Sequence, residues 1–139
     1  MQAELTFYRD PAVPLLGTTP SSPWKYPGNA LTASSNRIYA QAARLQKAAW
    51  YLVWTPNAGA TYNAARLVKA DNGPTNLEQI AFINRNNTNT PVVDSVDMTA
   101  ALNAILDSLM PGESKQILMQ TCGDAASAIY RSTIDLVWE

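Results

Sequence analysis

"KAAWYLVWTPNAGATYNAARLVKAD", residues 47–71, is the stretch on which the fold turns. Two dense segments flank a break at Pro56-Asn57-Ala58-Gly59. Pro fixes φ and Gly reaches conformations closed to other residues, so such a cluster marks a turn. Each flank is short enough for a strand, and together they read as the arms of a hairpin that needs a core. In the first arm Trp50, Leu52 and Trp54 alternate with Tyr51 and Val53. Each buried aromatic takes roughly 150–250 Å² out of water. The Trp-Leu-Trp face is therefore read as core, and Tyr51 and Val53 as its outward side.

The same period of two runs on both sides of this stretch. In "NRIYAQAARL" (36–45), Ile38, Ala40 and Ala42 face one way and Arg37, Tyr39 and Gln41 the other. "EQIAFINR" (78–85) follows with its Ile80 and Phe82, then "PVVDSVDM", "KQILMQTC" and the closing "AIYRSTIDLVWE". One segment breaks the pattern. In "VDMTAALNAILDSLMPG" (96–112), Leu102, Ile105, Leu106 and Leu109 fall at i, i+3, i+4 and i+7, one stripe of a helix. Asp97 or Thr99 can accept from its first free N–H groups, and Pro111-Gly112 ends it. The spacing predicts one short helix near residues 99–110, plugging an open end. Before the strands, residues 11–35 carry five prolines and two glycines, which argues an extended arm. The expectation is a mainly β chain, a jelly-roll-like antiparallel β-sandwich of about eight strands. Residues 1–35 form an N-terminal strand, ending before Asp10-Pro11, and a Pro-rich arm; residues 36–139 form the sandwich.

Composition excludes more than any motif asserts. Charged residues make up 15% of the 139 and the net charge is −1, against about 25% charged in average proteins. A phosphate-binding surface needs clustered Lys and Arg, so nucleic acid is not the expected partner. Histidine is absent, which removes His-activated nucleophiles and His metal ligands. Cys122 is the single cysteine, so no internal disulfide can form. It lacks an activating neighbour and reads as a small buried hydrophobe. The 11 acids are scattered, and no pair stands out for hydrolysis. The chain is expected not to be an enzyme and to use no cofactor. The opening Met-Gln-Ala-Glu-Leu has no signal-peptide pattern and no apolar run approaches a membrane span, which predicts a soluble chain kept inside the cell.

Three polar stretches offer sites, each beside a plainer reading. "SPWKYPGN" (22–29) sets Trp24 and Tyr26 near Asn29. A ring under a sugar and an amide for its hydroxyls would make a carbohydrate site; the plainer reading is that the aromatics anchor the arm. "KADNGPTNLEQ" (69–79) offers Asp71, Asn72, Asn76 and Glu78 but lacks the order of a calcium loop, and reads as a turn. "NRNNTNTP" (84–91) reads as a surface loop despite its formal glycan acceptor at Asn86.

The strand pattern of residues 36–139, behind a Pro-rich arm and closing on "AIYRSTIDLVWE", resembles small capsid-decorating or fibre-head proteins of tailed phages. It also resembles tumour-necrosis-factor-like trimeric jelly rolls, some of which are lectins. The resemblance implies a non-enzymatic homotrimer whose arm touches a neighbour or a shell, and it carries over no functional residue. The expected function is a virion decoration or cement protein, assembled in the host cytoplasm and partnered by itself and by capsid proteins. The alternative is a lectin using Trp24, Tyr26 and Asn29. Tyr39, Tyr51, Tyr62 and Val53 lie outside the assigned core and are candidates for subunit contact. In the arm, Val13, Leu15, Leu16, Trp24 and Tyr26 are spaced to dock singly on a neighbour, with Trp24 as the main anchor. The prolines are expected to deny the arm strand pairing, so deleting residues 1–30 should leave the sandwich folded.

Overall fold

The computed structural model describes residues 2–15, 24, 35–55, 63–71, 75–85, 90–123 and 127–139. The period-two runs become eight strands: β1 (Gln2–Leu15), β2 (Ser35–Tyr39), β3 (Leu45–Thr55), β4 (Asn63–Ala70), β5 (Glu78–Arg85), β6 (Val92–Asp97), β7 (Ser114–Gly123) and β8 (Ser127–Trp138). The stripe of Leu102, Ile105 and Leu106 becomes the helix α1 (Thr99–Ser108), with those three side chains buried. The strands form two antiparallel sheets, ordered β1-β8-β3-β6 and β2-β7-β4-β5. Pairs β1–β8, β2–β7, β3–β6 and β4–β5 are nested, as when one long hairpin is rolled up on itself. This is the eight-stranded jelly roll.

That order corrects the reading of residues 47–71 as a hairpin. β3 pairs with β6 and β8, whereas β4 pairs with β5 and β7. The segment passes from one sheet to the other, and its two arms face each other through the core. Alternation specifies which side of a strand is buried, not which strand lies beside it.

Trp50, Leu52 and Trp54 have no exposed surface, and they meet Leu67, Ile117 and Met119 of the second sheet in one apolar cluster. Burying an indole requires an acceptor for its N–H. Trp50 donates to Ser132 Oγ at 2.9 Å, and that hydroxyl donates on to Met119 Sδ at 2.8 Å. Trp54 donates to Asp94 Oδ2 at 2.8 Å. Asp94, on edge strand β6, also accepts from Arg85 on edge strand β5, at 2.9 and 2.6 Å. The sheets are thus clamped at one corner by a two-pronged ion pair. Burial works to raise the Asp94 pKa, but Arg85 and Trp54 outweigh it and hold the carboxyl below its usual range.

The helix continues what β6 leaves off. Past the last β6 partner, the free edge of β3 is satisfied by the start of α1: Met98 N–H donates to Ala48 O at 2.8 Å and Ala48 N–H to Thr99 Oγ1 at 2.9 Å. Asn103 then mimics a strand, accepting from Leu45 N–H at 2.9 Å and donating to Leu45 O at 3.0 Å. Of the two residues read as helix starters, Asp97 accepts the Thr99 N–H at 2.9 Å. The turn after α1 has Pro111 and then Gly112 at φ 87°, the left-handed backbone that a type II turn places third.

The N-terminal reading needs correction. β1 does not stop before Asp10-Pro11 but pairs with β8 as far as Leu15. A register shift between Arg9 and Val13 absorbs Pro11, and β1 is an edge strand, where a missing N–H is tolerated. Residues 2–15 therefore belong to the first sheet, and Phe7 is buried in the core with 1% of its surface exposed. This placement argues against the expectation that residues 1–30 are dispensable for folding.

Phe7→Ala is expected to cost about 3–5 kcal/mol in urea denaturation, and a chain lacking residues 1–15 to lose its cooperative transition. An unchanged midpoint in Phe7→Ala would remove β1 from the core. Asp94→Ala should cost about 1–3 kcal/mol by leaving the buried Trp54 N–H without its acceptor. Because the folded-state pKa of Asp94 is lowered, its contribution is complete above the ordinary carboxylate value of about 4 and is lost as pH falls through the folded value. Thermal melts of the wild type should weaken over that acid range, and those of Asp94→Asn should weaken less.

Candidate functional site

The two outward faces of the sandwich differ. On the second sheet, Gln120, Arg66 and Phe82 form a row of cross-strand partners over β7, β4 and β5. Arg66 Nε donates to Gln120 Oε1 at 2.8 Å, which holds the guanidinium flat. Trp24 lies on this row. The Arg66 guanidinium carbon sits 4.2 Å from its ring centroid, and Phe82 meets the ring edge-on at 6.3 Å with planes 80° apart. In the adjoining rows Val68, Ala70 and Leu118 are fully buried in a cluster separate from the sandwich core. Cys122, opposite Ala64 on this face, is also buried. Burial pushes its thiol pKa up, against the pull of Arg66. β4 thus has buried residues on both its faces.

The first sheet is open. A groove of about 470 Å³ runs over β1, β8 and β3, between Glu4, Lys47, Ala49, Tyr51 and Asp135. A second hollow of about 230 Å³ continues it to the β6 edge, sharing Tyr51 and Asp135 and adding Val53, Val93 and Arg131. Val53 and Val93 are direct cross-strand partners, and Val93 is 63% exposed. Glu4 stands opposite Asp135 on the neighbouring strand, an unfavourable pair of like charges. Arg131 relieves Glu4 through an ion pair at 2.9 Å. Asp135 has no cation within ion-pair distance among the described residues; its one hydrogen bond comes from Thr133 at 3.5 Å. Among the described residues Arg131 Nε is buried without an acceptor. The groove is therefore lined by two acids and two bases, with the Val53–Val93 pair at its β6 edge.

The candidates from sequence divide between these faces. Tyr51 lines the open groove. Tyr39 is 60% exposed on edge strand β2 of the other sheet, so the two tyrosines are not brought together. Trp24 is half-buried against its own sheet, with one contact partner over its ring and another at its edge. Leu15 and Val13 are described as backbone of β1 alone, and Leu16, Tyr26, Asn29 and Tyr62 lie outside the described residues, as do Asn86 and the turns at 56–59 and 72–74. The calcium reading of residues 69–79 finds no support in Asp71, whose oxygens accept from Lys115 and Asn76, or in Glu78, paired with Lys69 at 3.0 Å. Among the described residues no cluster of three His, Cys, Asp or Glu could hold a metal.

Lys47, Glu4, Arg131, Asp135 and Val93 escaped sequence reading, because each is ordinary until strand order places it beside the others. Arg66 and Phe82 escaped for a second reason. A register shift between Leu67 and Val68 puts Ala81 and Ile83 in the core and leaves Phe82 46% exposed, so the Ile80–Phe82 alternation does not mark the buried side.

No protein-family model matches the chain, and no curated protein matches it.

A double-mutant cycle of Trp24→Ala and Arg66→Ala in urea denaturation should give a coupling of about 0.5–2 kcal/mol, the range for a cation over an indole. Zero coupling would detach Trp24 from this face.

Proposed function

We propose that the chain is a non-enzymatic structural protein of a virus particle, a decoration, cement or shell subunit that acts through surface contacts. The observation that supports this best is the nested strand order of the two sheets. Jelly rolls of this kind recur in viral capsid proteins, where a rigid wedge must present several faces to neighbours. The low charge of the chain agrees, since little electrostatic repulsion keeps copies apart. Assembly in a host cytoplasm, with three-fold closure among copies, is the arrangement its resemblance implies. Among the described residues no helix is long and apolar enough to cross a membrane.

The lectin reading centred on Trp24 is less favoured. A sugar needs an open aromatic face, and Arg66 lies over the Trp24 ring at 4.2 Å.

Negative-stain microscopy of the full chain after size-exclusion chromatography should show uniform rings or closed particles, and a glycan array should show no selective binding. A monomer that binds one glycan, with binding lost in Trp24→Ala, would replace this reading with the lectin.

A further inference from the structure

We infer that the ion pair of Arg85 and Asp94 keeps the edges of β5 and β6 closed to an added strand from a second copy of this chain. The inference does not rest on the virus-particle reading. Among the described residues each sheet ends in two edge strands, β1 and β6 in one and β2 and β5 in the other. An edge presents a row of backbone N–H and C=O groups on which another copy's strand can build. Three of the four edges are broken by other means. β1 carries Pro11, Pro14 and two register shifts. β2 has only five residues. β5 has a register shift against β4 beside Val68. β6, with the sequence VVDSVD, has neither a proline nor a register shift along its pairing with β3. It also exposes Val93, and a regular valine-rich edge invites pairing.

What sets β6 apart is the charge at its centre. Asp94 lies opposite Leu52, a core residue, and shares its side of the strand with Val92 and Val96, which pack against the core. Arg85 shares its side of β5 with Ala81 and Ile83, both buried in the core. Two edge strands, one from each sheet, therefore each turn a charge inward, and the charges meet at 2.9 and 2.6 Å. An inward-pointing charge is one of the devices that blunt a sheet edge. The Trp54 N–H does not need it, since an amide or a hydroxyl would accept that hydrogen bond as well. Both side chains keep some contact with water, 18% of the Asp94 surface and 37% of the Arg85 surface. Side chains turned inward at an edge reach that water through the gap between the sheets. A strand added to β6 or β5 covers the gap and strips the water from both charges, which opposes the backbone hydrogen bonds the strand would gain.

The test is sedimentation velocity of the full chain, with a dye that reports continued β-sheet and circular dichroism to confirm folding. Asp94→Asn keeps an acceptor for Trp54 and removes the charge. It should fold, yet shift the mass distribution to open-ended species that grow with time and bind the dye. Adding Val93→Lys, a charge at the exposed position of the same edge, should return the wild-type distribution without restoring the melting temperature. Trp54→Phe weakens the same corner but leaves both charges, and should keep the wild-type distribution. If Asp94→Asn does not fold, Asp94→Asn combined with Arg85→Gln, an uncharged pair still able to hydrogen-bond, takes its place with the same expectation. The inference is overturned if the uncharged variant keeps the wild-type distribution, if Trp54→Phe grows the same species, or if Val93→Lys does not rescue. If the rescue holds but microscopy of the wild type shows no particles, the closed edge stands and the virus-particle reading falls.

Discussion

Two indole N–H groups on one strand set the frame of this molecule. Trp50 and Trp54 are wholly removed from water, and each must find an acceptor there. Trp50 finds Ser132 on β8, and through it Met119 in the facing sheet. Trp54 finds Asp94 on β6, whose carboxylate also holds Arg85 on β5. One strand thereby touches both its sheet neighbours and, at one remove, both β7 and β5. A one-residue slip of β3 would turn both indoles outward and strand Ser132 and Asp94.

The helix follows from the same strand. β3 is longer than its partner β6, so its edge would carry unpaired backbone groups where β6 ends. Met98, Thr99 and Asn103 take them up, which fixes α1 across the end of the core and buries Leu102, Ile105 and Leu106. Its stripe seals the sandwich because its polar residues are held by β3.

The surface has a similar division. Where β4 and β7 present Val68, Ala70 and Leu118 outward, those side chains are buried, while Phe82 beside them on β5 stays exposed. Where β3 and β6 present Val53 and Val93, the face is open and its charges are incompletely matched.

Much of this was written in local pattern. Period-two runs marked the strands, the 3.6-residue stripe marked α1, and Trp50, Leu52 and Trp54 declared a buried face, because burial on one side is a property of consecutive residues. Which strands pair is not. The segment 47–71 looked like a hairpin because both arms alternate, yet they belong to opposite sheets, since nested pairing depends on partners up to the length of the chain apart. Pro11 and Pro14 argued against a strand until an edge position and a register shift made them harmless. The shift beside Val68 inverted Phe82, and strand order alone set Lys47, Tyr51 and Asp135 round one groove. The sequence by itself determined the strands, the helix and the core face of β3; the tertiary structure decided the neighbours, because hydrogen-bonded edges join residues that no local period connects.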